Sequence, residues 1–362
     1  MLRQPVHAAF VASSTVETAL MKHLPALDGL RAFAILIVAT SHIVTSVIPG
    51  GFGVTLFFFI SGFIITRMML EQDFSAASLR GFYVRRFFRL APALFVFIAI
   101  SGLAMSLLAR PIPASDYLAT LFYYANYHHF ALSDGINSPL GITWSLAVEE
   151  HFYFVFPVLF ICARKNLAAW LIGVIVAVCL WRFVLVYGLQ APIPRTYFAT
   201  DTRIDSIAWG CLLSAMIHKR DPLLDRIGSM PARLCGVGLL LVTFIVRDNG
   251  FRETIRYSLQ GLALMPFFCH LFWAPRSPGF IRAALESRPA RFIGNISYSL
   301  YLYHFLALSM AQSLFAEALE VKLFAIGCGL IAATLSYYFI ENPVRRFGSD
   351  LARSIDRRQP AG

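Results

Sequence analysis

The stretch of sequence that decides the fold is LDGLRAFAILIVATSHIVTSVI, residues 27–48. A helix needs roughly 20 apolar residues to cross a bilayer at about 1.5 Å of rise per residue, so this segment is long enough to span one. Beyond Asp28 at its start, two ionisable side chains, Arg31 and His42, interrupt it. They are about three turns apart, which places them on one helix face about 16 Å apart along the axis. Because ionisable groups are costly inside a membrane, both positions indicate a functional site.

The composition of the whole chain agrees with this first segment. Of 362 residues, 58% are hydrophobic and only 14% are charged, and the mean hydropathy is +0.66. A soluble protein of this length needs more charge on its surface. Long, uniformly apolar runs also differ from the short alternating strands of a membrane β-barrel. The predicted fold class is therefore all-α, a polytopic transmembrane helical bundle.

About ten apolar segments are predicted to span the membrane. They cover residues 28–48, 52–70, 90–109, 142–162, 167–187, 203–217, 232–247, 255–273, 292–314 and 321–341. Residues 115–131 are expected to form an amphipathic or re-entrant helix in a longer loop. The last span ends in IENPVRRF, where the i,i+4 spacing of Glu341 and Arg345 is typical of a structural clasp.

The net charge of +11 is distributed unevenly along the chain. Lys and Arg concentrate in the loops on the side of the N-terminus, a bias typical of the cytoplasmic side. We therefore predict a cytoplasmic tail at residues 1–24, a transmembrane domain at 25–346 and a cytoplasmic tail at 347–362. No interleaved basic and aromatic surface indicates nucleic acid as a partner. The six cysteines form no CxxC pair, which indicates neither a disulfide framework nor a metal site.

Depth along the helices predicts a partner for His42. The fourth span begins TWSLAVEEHFYFVFP, and if Trp144 marks the outer interface, Glu149 and Glu150 lie about 9 Å below it, near the depth of His42. A carboxylate beside an imidazole fixes the tautomer and orientation that a general base needs. We predict that one glutamate orients His42. The alternatives are a helix-packing hydrogen bond for His42, and pairing of a glutamate with an arginine such as Arg182.

A basic cluster is predicted at the other end of the same helices. The segment LRGFYVRRFFRLAP carries Arg85, Arg86 and Arg89, and Arg31 lies at a matching depth. Guanidinium groups bind phosphates in bidentate fashion, so the cluster is a candidate phosphate site. The alternative is an ordinary arginine-rich inner loop that contacts anionic lipid headgroups.

Other polar residues within the spans are candidates for contacts with an acceptor. Ser61 lies near mid-membrane in GGFGVTLFFFISGF, whose glycines favour either close helix packing or a slot for a thin substrate arm. His304 is a second candidate base, in a span polar enough that part of it should line a cavity. Arg203 and Asp205 begin the sixth span and could hold the acceptor or pair with each other. The predicted substrate contacts are Trp144, Ser61, Tyr153, Arg203, Asp205 and His304.

The motifs and their order along the chain resemble those of the acyltransferase-3 family of membrane-bound O-acyltransferases. The matching segments, from about residue 25 to 346, are LDGLRAFAILIVATSHI, GGFGVTLFFFISGF, FYVRRFFRLAP, WSLAVEEHFYFVFP, TRIDSIAWG, ISYSLYLYHF and ENPVRR. The resemblance implies a bacterial inner-membrane enzyme that transfers an acyl group, usually acetyl, from cytoplasmic acyl-CoA to a carbohydrate. The arginine and histidine motif of the family corresponds to Arg31 and His42. Its arginine cluster corresponds to Arg85, Arg86 and Arg89, and its acidic motif corresponds to Glu149 and Glu150.

The mechanism predicted from these motifs connects the basic cluster at one end of the helices with His42 at the other. The CoA phosphates bind the arginines, the pantetheine arm follows the face shared by Arg31 and His42, and His42 deprotonates the acceptor hydroxyl. The expected partners are membrane lipids and a carbohydrate or glycolipid acceptor such as a polysaccharide or lipopolysaccharide. Many family members carry an additional esterase-like domain, and direct transfer without one is expected here. The competing class is a multi-pass transporter or flippase, since buried ionisable residues also build substrate paths.

Overall fold

The computed structural model describes residues 24–47, 49–72, 74–131, 138–273 and 279–357. Helices account for most of these residues, and no strand occurs within these ranges. The all-α fold class is therefore confirmed.

Ten helices lie at the positions of the ten predicted spans. They are α1 Pro25–Ile43, α2 Gly50–Glu71, α3 Leu79–Leu107, α4 Trp144–Ala163, α5 Leu167–Phe183, α6 Ile204–Lys219, α7 Met230–Ile245, α8 Arg256–Phe272, α9 Ser297–Leu314 and α10 Ala318–Ser336. Helix α3 begins eleven residues before the predicted residue 90, because the arginine-rich segment continues the helix instead of forming a loop. The arginines of that segment therefore lie on a regular helix of the bundle.

Short helices connect the long ones. Among the described residues they are Ala114–Leu121, Ala125–Ala131, Ile193–Phe198, Leu224–Ile227, Asn249–Thr254, Phe280–Leu285 and Arg288–Asn295. The first two replace the single helix predicted at 115–131. A π-helical turn, Tyr337–Glu341, joins α10 to a further helix, α11 Asn342–Arg357.

Helix α11 includes most of the segment predicted as a C-terminal tail. It is amphipathic, packs along α3 and is tied to it by an ion pair between Arg85 and Asp356 at 2.9 Å. Residues 1–23 and 358–362 of the two predicted tails lie outside the described residues.

The apolar character of the bundle fits a membrane. Five described segments are long and apolar enough to cross one by length and composition: Pro25–Ile43, Gly50–Glu71, Ala76–Leu107, Pro139–Gly188 and Ala318–Asp356. Large apolar side chains such as Leu103, Phe154 and Phe339 are exposed on the outer surface of the helices. Water would penalise such a surface and lipid accommodates it, so the chain is a multi-pass membrane protein.

Helix α2 lies at the centre of the bundle and packs closely against α6. A Cβ atom on Gly62 would collide with the carbonyl oxygen of Ile207, and one on Gly210 with that of Phe59. Glycine at both positions lets the two backbones approach, as small residues do at helix interfaces in membranes. The packing interpretation of Gly62 is therefore confirmed, while the neighbouring Ser61 points to another side of the helix.

Helix α4 begins inside the protein and not at its surface. The turn before it, Pro139–Thr143, is buried, and Trp144 at the first position of the helix is only 5% exposed. The Trp144 ring packs edge-on against Phe58 and Phe198. Trp144 therefore does not mark the membrane interface, and depths counted along α4 from that residue do not hold.

Candidate active site

A cavity of about 560 Å³ runs through the bundle along α2. Its wall includes Val54 near one end of α2 and Glu71 at the other, which are about 25 Å apart along the helix axis. This length approaches the roughly 30 Å thickness of the hydrocarbon core of a bilayer. We call the end of the bundle that carries Arg31, Arg67 and Arg85 the basic end, and the end at which α1 terminates the histidine end.

Two arginines at the basic end line the cavity without a close carboxylate. The nearest carboxylate oxygen to Arg31 is that of Asp28, at 3.8 Å from its Nη1. Arg89 also lines the cavity and has no hydrogen bond or ion pair with any described residue. Two guanidinium groups that line one cavity without a short ion pair form a site for a multiply charged anion such as a phosphate.

The other two predicted phosphate ligands already have partners. Arg86 reaches the Oε1 atom of Glu150 from Nη2 at 2.6 Å and from Nε at 2.8 Å, and its guanidinium lies 3.5 Å above the ring of Tyr153. Arg85 is held by Asp356 of α11. Both arginines line the cavity, but their charges are compensated, so Arg31 and Arg89 are the better suited to an anionic ligand.

The predicted pairing of His42 with an acidic residue is wrong. Glu149 accepts a hydrogen bond of 2.7 Å from Ser61 and lies 3.7 Å from Arg86, which also holds Glu150. The physical reason is the buried start of α4, which lowers both glutamates toward the basic end. The cavity wall there contains Ser61, Glu149 and Tyr153 together.

His42 pairs with His304 instead. The distance from Nδ1 of His42 to Nε2 of His304 is 3.0 Å, and the two rings are stacked with 5.3 Å between centroids. Nδ1 of His304 lies 3.0 Å from the carbonyl oxygen of Leu300, which can only accept. A neutral His304 therefore carries its proton on Nδ1, accepts at Nε2 from Nδ1 of His42, and leaves the Nε2 lone pair of His42 available.

The free side of His42 faces away from the apolar surface of α1. The His42 side chain is exposed. At 3.6 residues per turn it lies about 180° around the helix from the exposed Phe33 and about 160° from the exposed Val44. Arg31 shares the face of His42 as predicted. An imidazole on this face can meet a polar substrate while Phe33 and Val44 contact lipid.

The cavity stops short of the two histidines. Its wall includes Tyr301 and Ser145 but neither His42 nor His304, and along α1 it extends no further than Arg31. The Tyr301 ring lies 5.9 Å from that of His304, centroid to centroid. A donor arm would therefore follow α2 toward Tyr301 and not the face shared by Arg31 and His42.

A comparison with known proteins adds to this geometry. The sequence model of the acyltransferase-3 family, described as an acyltransferase domain, matches residues 24–341. The chain belongs to the acyltransferase-3 family. The recognition made from the motifs is thereby confirmed. No solved structure matches the acyltransferase-3 chain significantly.

Curated relatives of this acyltransferase-3 chain are named as O-acetyltransferases. A Staphylococcus aureus (strain COL) protein named "Putative O-acetyltransferase" is 32% identical over 360 residues, which cover 91% of this chain and 58% of the relative. The peptidoglycan O-acetyltransferase OatA of Listeria monocytogenes is 29% identical over 362 residues, covering 90% of this chain and 56% of the relative. The chain thus spans rather more than half the length of these relatives.

Besides His304, three predicted acceptor contacts of the acyltransferase-3 domain lie outside the cavity wall. Trp144 is buried among aromatic rings. Arg203 is fully buried, with its guanidinium 4.0 Å from the ring centroid of Tyr257. Asp205 is fully buried and accepts hydrogen bonds from Arg182 at 2.8 Å and Ser258 at 2.6 Å. Buried polar groups satisfied in this way stabilise the bundle.

These contacts also decide two alternatives that the sequence left open. Arg203 and Asp205 do not pair with each other. The glutamates of α4 do pair with an arginine, but it is Arg86, whereas Arg182 pairs with Asp205. Among the described residues no group of three or more His, Cys, Asp or Glu side chains is placed to hold a metal ion.

Two cavity residues were missed by sequence reasoning. Glu341 lies in the cavity wall and accepts a hydrogen bond of 2.9 Å from Ser299, whereas Arg345 donates to Asn342. The π-helical turn that ends at Glu341 places it there, and the expected clasp with Arg345 is not formed. Tyr301 is the second, and the polar character of its helix, which predicted that part of α9 lines a cavity, was the signal for it.

Proposed function

We propose that the protein is a membrane O-acyltransferase that moves an acyl group, in the first instance acetyl, from acyl-CoA to a hydroxyl of a carbohydrate. The observation that carries the proposal is the cavity. It leads from Arg31 and Arg89, neither of which has a short ion pair with a described residue, to the wall behind which two histidines lie. Family membership and the O-acetyltransferase names of the relatives support the reaction. The peptidoglycan acceptor named for the Listeria relative supports a carbohydrate.

The donor enters at the basic end in this proposal. Its phosphates lie against Arg31 and Arg89, and the thin pantetheine arm extends along α2 past Ser61 toward Tyr301. The bias of Lys and Arg toward the loops at this end places it in the cytoplasm, where acyl-CoA is made. The arginines that do not line the cavity contact the headgroups of anionic membrane lipids.

The proton transfer belongs to the histidine pair. A hydroxyl of the acceptor, a polysaccharide or a lipid-linked carbohydrate, approaches His42 from the opposite side of the membrane. His42 Nε2 takes the hydroxyl proton, the oxygen attacks the thioester carbonyl, and the carbon–sulfur bond breaks. The proton then passes to the CoA thiolate, so an ester and free CoA are formed. His304 fixes the tautomer and orientation of His42, the role predicted above for a carboxylate.

The acidic residues have a supporting role. Glu150 and Glu149 hold Arg86 over Tyr153, which keeps the wall of the cavity charged and hydrated at mid-depth. Ser61 completes this wall through its bond to Glu149. Ser61, Glu149 and Tyr153 line the cavity and contact the donor arm, and neither glutamate takes part in proton transfer at His42.

Labelled acetyl-CoA tests the proposal in proteoliposomes that contain the purified protein and a carbohydrate acceptor such as peptidoglycan fragments. We expect release of free CoA and transfer of label to the carbohydrate in an ester that mild alkali cleaves. Labelled acetate in place of acetyl-CoA is the matched control and should give no product. Accumulation of an unmodified glycan or donor inside the vesicles, with no ester formed, would instead support the transporter alternative and contradict the proposal.

A further inference from the structure

The wall at the inner end of the cavity is built around Tyr301. Its hydroxyl lies 2.8 Å from the carbonyl oxygen of Ile142 and 2.6 Å from the hydroxyl of Ser145. A carbonyl can only accept, so Tyr301 donates to Ile142 and accepts from Ser145. Both partners are buried at the start of α4. The Tyr301 side chain is therefore fixed in place by two hydrogen bonds to a rigid part of the bundle.

The Tyr301 ring borders the cavity and also approaches the histidines. It packs edge-on against Phe57, which lines the cavity, at 6.2 Å between centroids. It also lies 5.9 Å from the ring of His304. Of the described residues in ring contact with His304, Tyr301 is the one that lines the cavity. The reacting carbonyl is therefore expected beside this ring.

We propose that Tyr301 is the residue that determines which acyl groups the protein transfers, by limiting them to short chains. The inference rests on the proposed function. With the thioester at the inner end of the cavity, the methyl group of an acetyl unit ends against Tyr301 and Phe57. Each further methylene would overlap the ring, whose hydroxyl is held by Ser145 and Ile142. Acetyl is admitted, and chains of four or more carbons are excluded.

The inference is tested by the preference for acyl-CoA donors of different length. The ratio of kcat/KM for butyryl-CoA and hexanoyl-CoA to that for acetyl-CoA is measured for the wild type and for Tyr301→Ala, with the same carbohydrate acceptor. One methylene in an apolar pocket changes kcat/KM by roughly 10- to 200-fold. We expect the wild type to discriminate against both longer donors, and Tyr301→Ala to raise both ratios by at least about tenfold. Tyr301→Leu, which keeps an apolar side chain at a helical position, is expected to raise the butyryl ratio.

Tyr298→Ala is the matched control, because Tyr298 lies on the same helix and lines the same cavity one turn nearer the basic end. It should leave the chain-length ratios unchanged, whatever its effect on the overall rate. Unchanged ratios in both Tyr301 variants, or a wild type that transfers hexanoyl as well as acetyl, would overturn the inference and leave the proposed function standing. Failure of the wild type to transfer any acyl group would overturn the proposed function itself.

Discussion

Replacing His42 with alanine is expected to lower kcat for acyl transfer by about 10²- to 10⁴-fold, the usual contribution of a general base. The KM for acyl-CoA should change little, because the arginines that bind the donor lie at the other end of the cavity. The measurement is the steady-state rate of ester formation in proteoliposomes. The wild-type rate should also fall toward acidic pH, since a protonated imidazole cannot accept the hydroxyl proton, and this acid limb should be missing from the residual activity of the variant.

His218→Ala is the control for this substitution, because His218 is exposed near the end of α6 and does not line the cavity. It should retain wild-type kcat.

The role of His304 is separated from that of His42 by two variants. His304→Leu removes the acceptor for Nδ1 of His42 and should lower kcat, whereas the amide oxygen of His304→Gln can accept the same hydrogen bond and should restore part of the rate. Wild-type turnover by His42→Ala would contradict the mechanism.

Removing Arg31 or Arg89, which line the cavity without a short ion pair to a described residue, is expected to have the largest effect on donor binding. A hydrogen bond to a charged group contributes about 1.5–3 kcal/mol, so Arg31→Ala and Arg89→Ala should each raise the KM for acyl-CoA by roughly 10- to 100-fold. The interaction is the same in the ground state and the transition state, so kcat should change much less than KM. Direct binding of CoA to the purified variants in detergent checks the same expectation without turnover.

Arg80→Ala is the matched control on the same helix, because Arg80 is exposed and absent from the cavity wall. It should leave the KM for acyl-CoA within about twofold of the wild type, as surface charges generally contribute little. Arg85→Ala breaks the ion pair with α11 and is expected to raise KM less than Arg89→Ala. Equal KM values for Arg80→Ala and Arg89→Ala would show that the donor does not use this arginine pair.

Helix positions could be predicted from the sequence because they depend on local composition. Apolar length located all ten helices, and the three-turn spacing correctly placed Arg31 and His42 on one face of α1. The polar content of α9 predicted a cavity beside it, and Ser297, Tyr298 and Tyr301 do line one. Each of these results follows from properties of a single helix.

Partners between helices could not be predicted, because they depend on where each helix begins in the bundle. A count from the membrane surface placed Glu149 level with His42, but α4 starts inside the protein and its buried first turn displaces the glutamate toward Ser61 and Arg86. The same limit applies to Asp205, whose partner Arg182 comes from a different helix. His304 was found as a candidate base, yet its contact with His42 joins residues 262 positions apart.

Donor and acceptor are proposed to reach one site from opposite faces of the membrane, and the sidedness of the reaction tests this. The protein is reconstituted into sealed vesicles, and a protease site added after residue 362 reports which way each molecule faces. Acetyl-CoA is supplied only to the face that carries the C-terminus, and the carbohydrate only to the opposite face. We expect ester formation under this arrangement and none when the two substrates are exchanged. Product formed only when both substrates share one face would contradict it.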